Sequence, residues 1–208
     1  MIRGMMVTMN AEAIEDLRQA LAHRGVTMEY HPTGASALTR LQELVPLGGT
    51  KVMTGSSTTL QQIGFIDWLT EHHRAGNVFY YRAEVHTQGE RVARDENRRQ
   101  ATLAEYFLGS VNALALTGEA VVADHSGTRV GGYVYAARNV IWVVGINKIV
   151  PTVDDAIRRV REVALPLEDA RVRAEGSEGS TIGKLVIFCE ESRPNRIRML
   201  LVGEELGF

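Results

Sequence analysis

Two short stretches of the chain concentrate the residue types that polar chemistry needs. The first is Asp124-His125-Ser126-Gly127-Thr128-Arg129, with a carboxylate, an imidazole, two hydroxyls and a guanidinium in one loop. Arg129 carries a planar fork of donors that fits a carboxylate or a phosphate through two parallel hydrogen bonds. Asp124, or Glu119 at the start of the preceding strand, is a candidate general base if burial raises its pKa. His125 is a candidate proton carrier. Ser126, Gly127, Thr128 and Arg129 are the ligand-binding candidates of this loop. The competing reading is a solvated turn, in which Asp124 bonds its own backbone or pairs with Arg129.

The second stretch is Gly55-Ser56-Ser57-Thr58, between a predicted strand and a predicted helix. Glycine allows a close backbone approach to a ligand. The hydroxyls and the unpaired amides of a helix start would together seat a phosphate or carboxylate. The competing reading is that Ser57 or Thr58 only caps the helix. It is not a Walker loop, because no Gly-Lys-Ser/Thr follows. A third candidate, Lys148, follows the apolar run 140–145 and so lies near a strand's carboxyl end. A partly desolvated lysine there would act on a carbonyl; otherwise it is a loop charge.

Other chemistries have weaker support. Cys189 is the only cysteine, so the chain makes no internal disulfide and holds no thiolate metal or iron–sulfur centre alone. Cys189 alternates within an apolar run and reads as core packing. His72 and His73 are neighbours at a helix end, which is not chelating spacing, and His23, His31 and His86 have no metal-like spacing either. No metal and no cofactor is expected in this chain. Arg91, Arg94, Arg98 and Arg99 share a helix with Glu90, Asp95 and Glu96, the pattern of a solvated, ion-paired surface, the alternative being that one of these arginines reaches an anion in the crevice. With a formal net charge of −2, the chain lacks the positive field of a nucleic-acid binder. No run is long and apolar enough for a membrane helix, and the start of the chain has no signal-peptide core. The expectation is a soluble cytoplasmic protein.

The elements that must position these residues follow from periodicity. Strands are predicted at 26–30, 51–54, 78–81, 107–109, 119–123, 140–145, 184–189 and 196–202. Asn10 caps a first helix with Ile14, Leu17 and Leu21 inward, and Gly25 ends it. A second helix turns Leu38, Leu41 and Val45 to one side and stops at Pro46. A third runs from the Gly55–Thr58 loop with Leu60, Ile63, Ile66 and Leu69 inward. A charged helix covers 90–105, and Thr152 caps another carrying Ile157 and Val160. Alternating strands and helices predict an α/β fold, an open, mostly parallel sheet with helices on both faces. Such sheets bind ligands beyond the carboxyl ends of their strands. One domain is expected over residues 1–208, with a main body at 10–170, a flexible loop at 171–183 and a C-terminal β-hairpin at 184–208.

The order of these motifs resembles a known family. Thr54 to Gly64 looks like a Gly-Ser-x-Thr-Leu-x-x-Ile-Gly signature. Asn112-Ala113, Gly118-Glu119 and Asp124-x-x-Gly127-Thr128-Arg129-Val130 look like a second, and Val144 to Val150 followed by a helix near Asp154 like a third. The ending Leu201 to Gly207 also matches. Together they resemble the LUD-domain family of lactate-utilisation proteins, of the short LutC/YkgG-like type. The resemblance implies a fold similar to the ribose-phosphate isomerase, glucosamine-phosphate deaminase and CoA-transferase superfamily, whose first Gly/Ser/Thr loop often holds an anion. It also implies a role in oxidising L-lactate to pyruvate, beside iron–sulfur protein partners. Two departures stand out. Thr128 replaces a common Asn, and the stretch 171–183 lacks the cysteine cluster of many short relatives. Three functions fit: an enzyme or enzyme subunit of hydroxy-acid metabolism binding a small anionic metabolite, a non-catalytic sensing or assembly subunit of a lactate-oxidising complex, or a sugar-phosphate or CoA-ester isomerase or transferase. Self-association is a further expectation, since exposed strands can pair.

Overall fold

The computed structural model describes residues 7–87 and 91–208, and all of their side chains except those of 85–87 and 91. Glu90, predicted to open the charged helix, lies outside the described residues, as do residues 1–6 and the side chains of His86 and Arg91. Along the chain the strands are β1 (Val26–His31), β2 (Thr50–Thr54), β3 (Val78–Tyr80), β4 (Tyr106–Gly109), β5 (Ala113–Ala115), β6 (Ala120–Asp124), β7 (Asn139–Gly145), β8 (Ile149–Val150), β9 (Lys184–Phe188) and β10 (Ile197–Val202). The α-helices are α1 (Ala11–His23), α2 (Gly34–Leu44), α3 (Thr58–Gln62), α4 (Phe65–Arg74), α5 (Tyr81–Thr87), α6 (Arg91–Thr102), α7 (Thr128–Gly131), α8 (Val153–Arg159) and α9 (Leu165–Ala174).

Six strands form one parallel sheet in the order β1-β10-β7-β4-β2-β3. A parallel sheet is stable when both faces are covered, and side chains on successive residues of a strand point to opposite faces. Val140, Trp142 and Val144 of β7 join Ile197, Met199 and Leu201 of β10 on one face, packed with Leu17 and Leu21 of α1. Ile141 and Val143 join Leu200 and Val202 on the other, against Leu41 of α2, Leu60 of α3, and Phe65 and Leu69 of α4. Asn10 and Thr152 cap α1 and α8 as their positions predict, accepting from Ala13 N and Asp155 N.

A smaller mixed sheet, β8-β5-β6-β9, sits beside the first over its own core of Ala113, Val121, Val150, Ala156 and Val160. Its strands β5 and β8 are too short for a period-two signal, and the sequence reading misses both.

The predicted C-terminal hairpin is not formed. β9 pairs antiparallel with β6, from Lys184 opposite Asp124 to Phe188 opposite Ala120, while β10 lies between β1 and β7 in the large sheet. The reason lies in β10 itself: Met199, Leu200, Leu201 and Val202 are all buried, which requires cover on both faces. The predicted loop at 171–183 also begins later, because α9 continues to Ala174 and Arg171 pairs with Glu168 and Glu175 on the same helix. The single helix expected after the Gly55–Thr58 loop breaks into α3 and α4 at Gly64. Cys189 lies past the end of β9 and is exposed, not in the core.

Candidate functional site

From β2 the chain moves outward to β3, whereas from β4 it moves the other way, through the small sheet, to β7. A reversal of this kind opens a crevice at the strands' carboxyl ends. A cavity of about 500 Å³ lies there, lined by the residues that follow β2, β4, β6 and β7. That volume suits a small metabolite or a nucleotide-sized ligand.

The buried end of β2 delivers the first loop into this cavity, where Gly55, Ser56, Ser57 and Thr58 all line the wall. Ser57 is the N-cap of α3, its Oγ accepting from Leu60 N at 3.3 Å. Because α3 is only five residues long, its dipole is slight, and the loop's polar character rests on its hydroxyls. Ser56 Oγ accepts from Arg82 Nη2 at 3.1 Å. Gly55 is needed for a close approach. A Cβ on it would lie 2.8 Å from Cδ of Arg129, so the two loops meet in space.

The second loop turns at Gly127, whose φ of 98° is left-handed. Gly127 itself stands behind the cavity wall, against Lys184. Asp124 Oδ2 accepts from Arg129 N at 2.9 Å and Val130 N at 3.1 Å, which ties that oxygen to the first turn of α7. Ser126 Oγ lies 3.2 Å from Thr128 Oγ1, and His125 Nδ1 lies 2.9 Å from Thr181 Oγ1. Arg129 donates through Nη2 to the carbonyl of Ala123. Asp124, His125, Ser126, Thr128 and Arg129 all line the cavity.

Glu119 does not reach it. It stands just before β6, at the end opposite Asp124, and the five residues of that strand span roughly 16 Å. Its carboxylate pairs with Arg24 and accepts from the Thr117 hydroxyl.

Lys148, by contrast, is part of the cavity wall and only 2% exposed. Its Nζ donates to Ser110 Oγ at 2.8 Å and to Thr59 Oγ1 at 3.0 Å. Burial, then the nearby charges of Arg159 and Arg129, push its amine well below the ordinary lysine value. Arg159 ends α8 just behind Lys148 and is 5% exposed. It donates to the carbonyls of Asn112 at 2.5 Å and Asn147 at 3.2 Å. Burial pulls its pKa down to about 10. Among the described residues, no carboxylate forms an ion pair with Lys148, Arg129 or Arg159. Several arginines elsewhere are paired with carboxylates: Arg171 with Glu168, Arg196 with Glu191, Arg198 with Glu29.

Sequence reasoning misses Ser110, Arg82 and Arg159, and it gives Thr59 and Asn112, which fall inside the family signatures, no role at the site. Ser110 carried a usable signal, since it directly follows β4 as Ser56 follows β2 and Gly55. Arg159 carried none, being one of several arginines on a helix. Among the described residues, no group of three His, Cys, Asp or Glu could hold a metal ion, and no helix is long and apolar enough to cross a membrane.

Comparison with known proteins agrees with this architecture. The LUD domain profile matches residues 14–204. No curated protein matches the chain. Among solved structures, the chain is similar to the crystal structure of a DUF162 family protein from Deinococcus radiodurans. The two share 17% identity over 95% of this chain and 100% of that one, with a TM-score of 0.57.

Proposed function

The chain belongs to the LUD-domain family, and from that premise we propose that it binds a small carboxylate- or phosphate-bearing metabolite in the crevice over β2 and β4, in the utilisation of L-lactate or a related hydroxy acid. One observation carries the reading. Lys148 and half-buried Arg129 line the cavity and buried Arg159 lies close enough to act on Lys148, and among the described residues none of the three is ion-paired to a carboxylate, whereas buried Arg196 pairs with Glu191. Buried basic groups without a counter-charge are costly, and a bound anion offsets that cost.

In this reading Arg129 takes the anion in its planar fork, and Ser56, Ser57 and Thr58 of the adjoining loop donate to it as well. Lys148 and Ser110 form the floor. Asp124 holds Arg129 in place through the backbone of α7. The electron acceptor for hydroxy-acid oxidation would belong to a partner subunit, since a single cysteine cannot ligate an iron–sulfur cluster.

A thermal-shift screen of phosphate, L-lactate, pyruvate, sugar phosphates, nucleotides and CoA esters tests the proposal. A ligand at 100 times its Kd adds about 2.7 kcal/mol of stability, which for a chain of this size raises Tm by roughly 5–10 °C. The shift is expected to shrink sharply in Ser57→Ala and to vanish in Arg129→Gln. If no anion shifts the melt, or if the shift survives both substitutions, the proposal fails. Sugar phosphates or CoA esters as the only hits would move the assignment from hydroxy acids to isomerase or transferase substrates.

A further inference from the structure

We propose that Lys148 is a covalent catalyst, whose Nζ condenses with the ketone carbon of a 2-oxo acid held by its carboxylate on Arg129. This rests on the reading above, that the cavity takes a carboxylate, and names the reaction partner inside it.

Three features of the site lead to it. First, Lys148 lines the cavity, and its Nζ is bonded only to hydroxyls, those of Ser110 and Thr59, which also line it. A lysine kept charged for structural reasons is ordinarily paired with a carboxylate, and among the described residues Lys148 has none. Second, Arg129 and Arg159 bring positive charge to the same place, which favours the uncharged amine. An uncharged lysine beside cationic groups is an activated nucleophile. Third, Arg129 and Lys148 line one cavity and lie close enough for the charge of one to act on the other. In a 2-oxo acid the carboxylate and the ketone are on adjacent carbons, so anchoring the first presents the second.

The chemistry balances without an oxidant or a reductant. The nitrogen lone pair of Lys148 attacks the ketone carbon, and the carbon–oxygen π electrons move to oxygen. The two amine hydrogens leave with that oxygen as one water, and a carbon–nitrogen double bond remains. Ser110 Oγ at 2.8 Å and Thr59 Oγ1 at 3.0 Å are placed to relay those protons. A 2-hydroxy acid has no carbonyl and cannot form this bond. The pocket would therefore hold a hydroxy acid reversibly and its 2-oxo counterpart covalently.

The test uses the unmodified full chain. It is incubated separately with pyruvate, 2-oxobutyrate and 2-oxoglutarate, each with sodium borohydride, then digested and mapped by mass spectrometry. The sequence has three lysines, and the other two, Lys51 and Lys184, are exposed, so they report ordinary surface labelling. The expected result is a reduced adduct on Lys148 that exceeds those on Lys51 and Lys184 by about tenfold or more. Arg129→Gln should slow labelling at Lys148 and leave Lys51 unchanged. L-lactate should compete without leaving an adduct. No adduct at Lys148 with any of the three acids, or labelling equal across the three lysines, overturns the proposal. An anion-dependent thermal shift with no Lys148 adduct removes the covalent step and leaves the anion pocket. Absence of both removes both.

Discussion

Replacing Lys148 by methionine tests the electrostatics of the cavity floor directly. Methionine has a similar length and no charge, so it fills the space without the ammonium. In the unfolded chain the lysine titrates at its ordinary value of 10.5; in the fold it titrates well below that. Between those two values the unfolded state binds more protons than the folded state. Stability of the natural chain must then rise with pH, by up to about 1.4 kcal/mol per pH unit for one proton. The penalty of burying the charge is fully present below the folded-state value and is relieved as pH approaches 10.5. Lys148→Met removes that contribution. Its hydroxyl neighbours keep other bonds, Ser110 Oγ to the carbonyl of Val111 at 3.2 Å and Thr59 Oγ1 to that of Leu206 at 3.5 Å. The variant should therefore match or exceed the natural chain in stability at neutral pH. Urea unfolding of both proteins, at steps from about pH 7 to about pH 10, gives the difference at each pH. Groups common to the two proteins cancel in it. The natural chain should gain on the variant as pH rises. A difference that is flat, or that changes in the opposite direction, would refute the argument that this amine is depressed by burial and by its arginine neighbours.

Three other outcomes follow from the same geometry. Ser57→Ala removes the N-cap of α3 and should cost about 1 kcal/mol in denaturant unfolding, with a several-fold loss in anion affinity measured calorimetrically. Glu119→Gln breaks the partly exposed pair with Arg24 and should cost no more than about 1 kcal/mol; ligand affinity should not change, and a large loss would put Glu119 back at the site. Gly132→Ala would place a Cβ 2.2 Å from the ring of Phe107. That overpacking should destabilise by about 1–3 kcal/mol, seen as a lower Tm with anion binding retained in the folded fraction.

Much of the large sheet could be read from the sequence because its strands are buried on both faces. Runs such as 140–145 and 197–202 have no polar alternation, and only a covered parallel sheet asks for that. The same fact, fully used, would have prevented the hairpin error. A strand as apolar as Met199-Leu200-Leu201-Val202 belongs in the middle of a sheet, and adjacency along the chain to β9 says nothing against it. β5 and β8 were illegible for a different reason. At three and two residues, they exist because neighbouring strands and α8 cover them, not because of a local pattern.

The site divides along the same line. Gly55 to Thr58 and Asp124 to Arg129 are contiguous, so their chemistry shows in the sequence. Whether they meet does not, and Gly55 against Arg129 is a contact between distant parts of the chain. Glu119 misled because a strand separates residues that are close in sequence. Arg159 was invisible because its type and helix are ordinary, and only tertiary packing buries it behind Lys148. What distinguishes Lys148 from a loop charge is likewise not its own identity. It is the set of groups around it: two hydroxyls, two guanidiniums, and no carboxylate among the described residues. Each arrives on a different segment, so the lowered basicity of that amine is a property of the assembled fold. It would be lost by a change in any of those segments that left Lys148 itself untouched.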